Sequence, residues 1–193
     1  MWRTGVAIAC VVGFMGLAAW SSEPWWERAF RSDDSAVAWL SSALLFANAT
    51  LALKLTRDGP LPGRLGGPLS AALWLAALDE QFLHHERFKY APATLRLAAD
   101  PRWRWIGELP TLMVGIVGIA FVWAFTRTVR QRPAGRLMLA ALAIGLIALW
   151  VDLGSAPHWL ARLEEGVEVM AETLFLCALL EVSPPQVQSS SWS

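Results

Sequence analysis

Little in this chain belongs to a soluble catalytic or nucleic-acid-binding protein. Charged residues make up only 17% of it and cancel to a formal net charge of +0, so there is no basic stripe for a nucleic-acid partner. Its two cysteines, Cys10 and Cys177, sit in separate apolar runs without CxxC or Cys/His spacing. That excludes a zinc knuckle and a disulfide framework, and leaves them as small buried hydrophobes. No GxSxG, GxxxxGK[ST], HExxH or GxGxxG occurs, so the common hydrolase and nucleotide signatures are missing. Tyrosine appears once, against twelve tryptophans.

What is abundant is apolar surface. Hydrophobic residues reach 55% of 193 residues, with a mean hydropathy of +0.42, far more than a soluble domain of this size needs. Trp25, Trp26, Trp103, Trp105 and Trp159 lie near the ends of apolar runs. Indole settles at headgroup level, so these read as an interfacial belt rather than ordinary core. A bilayer core of ~30 Å needs roughly 20 mostly apolar helical residues per crossing. Stretches at about 4–21, 36–55, 69–88, 109–127 and 136–153 meet that measure fully or nearly. A sixth, about 160–182, has a clean apolar run only from Leu174 to Leu180. The expected fold is therefore an all-α integral membrane protein, a single six-helix bundle over 1–182.

Segment one reads as an uncleaved anchor rather than a secretory signal, because Trp20 is bulky where a small-residue cleavage motif would sit. Asp58-Gly59-Pro60, Pro133-Ala134-Gly135 and Gly154 to Pro157 break the chain between segments. Residues 89–108 carry Arg96, Arg102, Arg104, Trp103 and Trp105 and are expected to lie on the membrane surface. The tail 183–193 is expected to be disordered. Lys and Arg divide equally between the two sides. The compact cluster Arg127, Arg130, Arg132 and Arg136 tips orientation towards cytoplasmic N and C termini, in a bacterial inner membrane.

The chemistry lies in two of these segments. The second half of segment three holds Asp79, Glu80, His84, His85 and Glu86; the first half of segment six holds Glu164, Glu165, Glu168 and Glu172. In an alternating bundle these segments run in opposite directions, which brings the two halves into one leaflet, the outer one in this orientation. At ~1.5 Å per residue, Asp79 and Glu80 lie roughly 12–14 Å below the end of segment three, and Glu168 to Glu172 roughly 12–18 Å below the start of segment six. At ~100° per residue the four glutamates of segment six form one stripe. On segment three the same wheel pairs Glu80 with His84 and turns His85 away. Asp152 and His158 belong to the same side.

Each acid at mid-membrane costs about 2.5–3.5 kcal/mol, so four uncompensated ones would cost roughly 10 kcal/mol, comparable with a whole domain's ~5–15 kcal/mol. A carboxylate-rich set with one or two histidines suits one or two divalent ions such as iron, manganese or zinc. The candidate ligands are Asp79, Glu80, His84, His85, Glu86, Glu165, Glu168 and Glu172; no catalytic residue is singled out. A metal-dependent reaction on a lipid or other hydrophobic substrate would follow. Two alternatives stand beside it. One is a proton or cation pathway, which the apolar inner halves Leu69 to Leu78 and Leu174 to Leu180 disfavour. The other is a structural cluster, with Arg87 and Arg162 neutralising two acids, in an accessory subunit with membrane-protein partners. Haem held by His84 or His85 with His158 is disfavoured, because His158 follows Pro157 in a loop.

Asp79-Glu80, four residues, then His85-Glu86, and far downstream Glu164-Glu165-x-x-Glu168, resembles a family of small uncharacterised bacterial multi-pass membrane proteins. The resemblance covers these two segments and carries no assigned activity. It implies that Asp79, Glu80, His85, Glu86, Glu165 and Glu168 share a site, so it favours His85 where the helical wheel favours His84.

Overall fold

Helix is the only regular structure among the described residues of the computed structural model, which are 2–31, 35–129, 132–155, 157 and 163–182. Long helices are α1 (Trp2–Ser21), α3 (Ala36–Arg57), α4 (Gly63–Phe82), α7 (Leu109–Thr128), α8 (Arg132–Trp150) and α9 (Glu164–Val182). Short ones are α2 (Arg28–Arg31), α5 (His84–Lys89) and α6 (Pro92–Ala98). A 3₁₀ segment, Pro101–Glu108, leads into α7, and a π-helical turn, Val151–Ser155, continues α8.

Among the described residues four stretches are long and apolar enough to cross a membrane: Thr4–Ser21, Ala36–Arg57, Trp105–Thr128 and Pro133–Leu153. Six were expected. The two that fall short are α4 and α9, and the cause is their acids, Asp79 and Glu80 on one and five glutamates on the other. Their lengths, 20 and 19 residues, still correspond to roughly 28–30 Å of helix.

Local chemistry sets the boundaries. Ser35 caps α3 by accepting from the Ala38 N–H at 3.0 Å, a device worth ~1 kcal/mol. Lys54 and Arg57 occupy its last turn, where the helix dipole favours cations. Gly59, at φ +91°, turns the chain into α4. That hairpin closes tightly: a Cβ on Gly66 would collide with the Thr56 side chain and come within 2.8 Å of Leu61.

The greatest departure from expectation is in segment three, expected at 69–88. Its helix begins at Gly63 and ends at Phe82, because Leu83 adopts the left-handed conformation (φ 54°, ψ 43°) and its N–H bonds back to the Asp79 carbonyl at 2.7 Å. The chain restarts as α5, with the Arg87 N–H on the Leu83 carbonyl at 2.9 Å. From His84 to Glu108 it forms only short pieces, none able to cross a bilayer, joined by a 3.1 Å Lys89–Glu108 ion pair. Phe88, Tyr90, Leu95, Leu97, Trp103 and Trp105 are exposed along them. The expected disorder of 183–193, the start of segment six before Leu163, and the roles of His158 and Arg162 fall outside the described residues.

The long helices alternate in direction. Ser70 donates to the Ala49 carbonyl at 2.8 Å and Trp74 meets Phe46 edge-on at 4.6 Å, so α4 runs back along α3. α9 runs parallel to α3, since Val37 shares a cluster with Val169 while Ala52 and Leu55 pack with Ala178, Leu179 and Val182. Ala134 and Met138 join that same far end, making α8 antiparallel to α9. α1 opposes α9 too, with Thr4 donating to Glu181 at 3.2 Å. Every residue of α9 is at least half-buried, with α1, α3 and α8 packed around it, whereas α1 and α7 expose most of their length.

Candidate metal centre

Because of this alternation, the starts of α3 and α9 and the ends of α4 and α8 share one end of the bundle. There the carboxylates of Glu80 from α4 and of Glu165 and Glu168 from α9 converge, each offering an oxygen within 4.8 Å of the others. Glu165 and Glu168 are three residues apart, and side chains at that spacing lie on one helix face. Glu80 reaches them from a helix that packs chiefly on α3. Gly166 lets the chain approach closely behind the trio: a Cβ there would lie 3.2 Å from the Phe30 ring.

One turn deeper, Glu172 continues the stripe. Its Oε1 accepts from the Ser41 hydroxyl at 2.8 Å, and its backbone carbonyl accepts from Asn48 Nδ2 at 3.1 Å. Glu172 Oε2 and Asn48 Oδ1 are buried and find no hydrogen-bond partner among the described residues. Around Glu168 the charged neighbours are Glu80, Glu165, Glu164 and Asp152, the last carried on the π-helical turn after α8. Turns of that type recur at functional sites.

The other expected ligands divide. Asp79 is half-buried on α4, outside the trio. His84 is exposed on α5, its ring 5.9 Å from that of Phe82, so the Glu80–His84 pairing read from a continuous helix does not form: Leu83 ends the helix between them. The side chains of His85 and Glu86 lie outside the described part of the structure. Sequence reasoning missed Ser41 and Asn48. Their signal was present, as polar residues seven apart, hence on one face, in a largely apolar stretch that also holds Ser42 and Thr50.

The trio's dimensions can be compared with a coordination sphere. Oxygen ligands at about 2.0–2.2 Å from an ion stand at most ~4.4 Å apart, or ~5 Å for calcium-like radii. A spread of 4.8 Å fits the larger ions as it stands and the smaller ones after closure by a few tenths of an ångström. The described donors are all carboxylate oxygens, which suits manganese, iron, magnesium or calcium better than zinc.

Residues 17–182 match the family model described as Domain of unknown function (DUF8692). No curated protein and no solved structure matches the chain.

Proposed function

The chain belongs to the DUF8692 family, and since its description assigns no chemistry we propose a function from the site alone. The reading is a six-crossing membrane protein that holds divalent metal between α4 and α9 and uses it on a lipid or other hydrophobic substrate. The observation that carries it is the convergence of Glu80 with Glu165 and Glu168, over eighty residues away, to within 4.8 Å. Three ionised carboxylates this close repel by about 3–4 kcal/mol per pair at an effective dielectric near 20, and a shared cation turns that repulsion into attraction.

The six-crossing reading is supported by the alternating directions and matched lengths of the six long helices. Enclosure by neighbours explains how α9 tolerates its acids: it presents no exposed face to lipid. The Thr4–Glu181 contact supports termini on one side, the cytoplasmic side of a bacterial inner membrane by the Arg127 to Arg136 cluster. At this same end, away from the acidic trio, Leu55, Phe125, Met138 and Leu179 pack into a fully apolar cluster, which favours a dead-end pocket over a conducting path. A divalent ion in such a pocket would lower the pKa of a bound water and so generate a nucleophile, or act as an oxidant precursor.

Elemental analysis of the purified full chain tests this. The wild type is expected to carry a stoichiometric divalent metal that a Glu80→Ala, Glu168→Ala double variant loses. A wild-type protein that stays metal-free and folded after incubation with manganese and iron ends the proposal.

A further inference from the structure

Two hydroxyls beside Glu172 are already committed: Ser41 donates to Glu172 Oε1, and Thr173, the next residue, donates to the Val169 carbonyl of its own helix at 2.7 Å. What remain are acceptors. Glu172 Oε2 is buried without a donor among the described residues, and so is Oδ1 of Asn48, a residue that is 0% exposed. The Asn48 amide cannot be turned to cure this, because its Nδ2 is fixed by the Glu172 carbonyl, and a flip would set two oxygens face to face. The partner this pocket lacks therefore carries positive charge or donates hydrogens. A carboxylate oxygen and an amide oxygen, on two residues already joined through the Asn48 Nδ2–Glu172 carbonyl bond, with a spare lone pair on Ser41, make up an oxygen-only donor set of the kind hard cations select.

Resting on the metal reading above, we infer that the centre holds two ions rather than one. The inner ion is bound by Glu172 Oε2 and Asn48 Oδ1, one helical turn below the trio, and Glu168 is shared between the two. Glu168 and Glu172 are four residues apart, hence neighbours on one face of α9, and a carboxylate so placed can bridge ions ~3.5–4 Å apart, the spacing of two-metal sites. Asn48 is the part no acidic-cluster argument supplies: it comes from α3, a helix with no acid of its own, is anchored through Nδ2 to the Glu172 carbonyl, and keeps a buried oxygen without a partner among the described residues.

The probe is Mn²⁺, applied to the full chain in detergent or nanodiscs, with bound metal counted by equilibrium dialysis and elemental analysis and the spin state read by electron paramagnetic resonance. The wild type is expected to bind two Mn²⁺ per chain with an exchange-coupled spectrum. Asn48→Leu and Glu172→Gln are each expected to bind one, with the six-line signal of an isolated ion, and Asn48→Asp to restore two. A wild type that binds a single uncoupled Mn²⁺ overturns the inference and leaves the metal reading intact, a water molecule then being the occupant beside Glu172. A wild type that binds none removes both. Should Asn48→Leu fail to fold, the wild-type stoichiometry and the Glu172→Gln count still decide.

Discussion

Replacing Glu168 by glutamine should leave the protein more stable than wild type without metal and less stable than wild type with it. In the trio, Glu168 faces Glu80 and Glu165, each with an oxygen no more than 4.8 Å away. At an effective dielectric near 20 each pair of full charges repels by about 3–4 kcal/mol, so the amide relieves up to ~7 kcal/mol in the metal-free state. Side-chain relaxation in the wild type lowers this, and single substitutions seldom exceed ~3 kcal/mol, so a gain of about 1–3 kcal/mol is expected in chelator. With ~2–4 °C per kcal/mol for a chain of this length, Tm should rise by roughly 2–12 °C. Saturating metal reverses the order. At 1,000 times Kd a ligand adds ~4.1 kcal/mol to the wild type, more than the variant's advantage, and the variant, missing a shared ligand, should gain little. Thermal unfolding of both proteins, in chelator and in excess Mn²⁺, gives the four numbers required. A variant less stable than wild type in both conditions, or a wild type indifferent to Mn²⁺, would refute the reasoning.

His84→Ala should leave bound metal within experimental error of wild type, as its side chain is exposed beyond the break at Leu83; loss of half the metal or more would show that the site extends to α5. Gly66→Ala should destabilise the α3–α4 hairpin by ~1–3 kcal/mol through collision with Thr56 and Leu61, visible as a lower Tm, and Gly66→Ala combined with Thr56→Ala should recover part of the loss.

Most of the long helices are legible because they are apolar runs of near-bilayer length between Gly, Pro or charged breakers, and the boundaries at Ala36, Leu109 and Val182 lie within a residue or two of the expected ones. The meeting of Glu80 with Glu165 and Glu168 is also legible, since alternation alone puts the second half of one segment beside the first half of the other. The break at Leu83 is not. Left-handed helix ends are normally written as glycine or asparagine, and a leucine there gives no local warning. That single torsion separates His84 from Glu80 and undoes an i, i+4 argument that is correct for an unbroken helix. Ser41, Asn48 and the π-helical turn carrying Asp152 escape for another reason: small polar residues in an apolar stretch become meaningful only when it is known which helix faces them.

The enclosure of α9 bears on how the molecule is made. With Glu165, Glu168 and Glu172 in its first half, this helix would partition poorly into lipid as a lone segment, at a cost of about 2.5–3.5 kcal/mol for each acid near the centre. Its neighbours α1, α3 and α8 precede it in the chain and leave the ribosome first. If α9 crosses the membrane as proposed, its entry is coupled to a cradle already assembled by its predecessors, and substitutions on those earlier helices that loosen the cradle should lower the yield of inserted protein even where they touch no acidic residue.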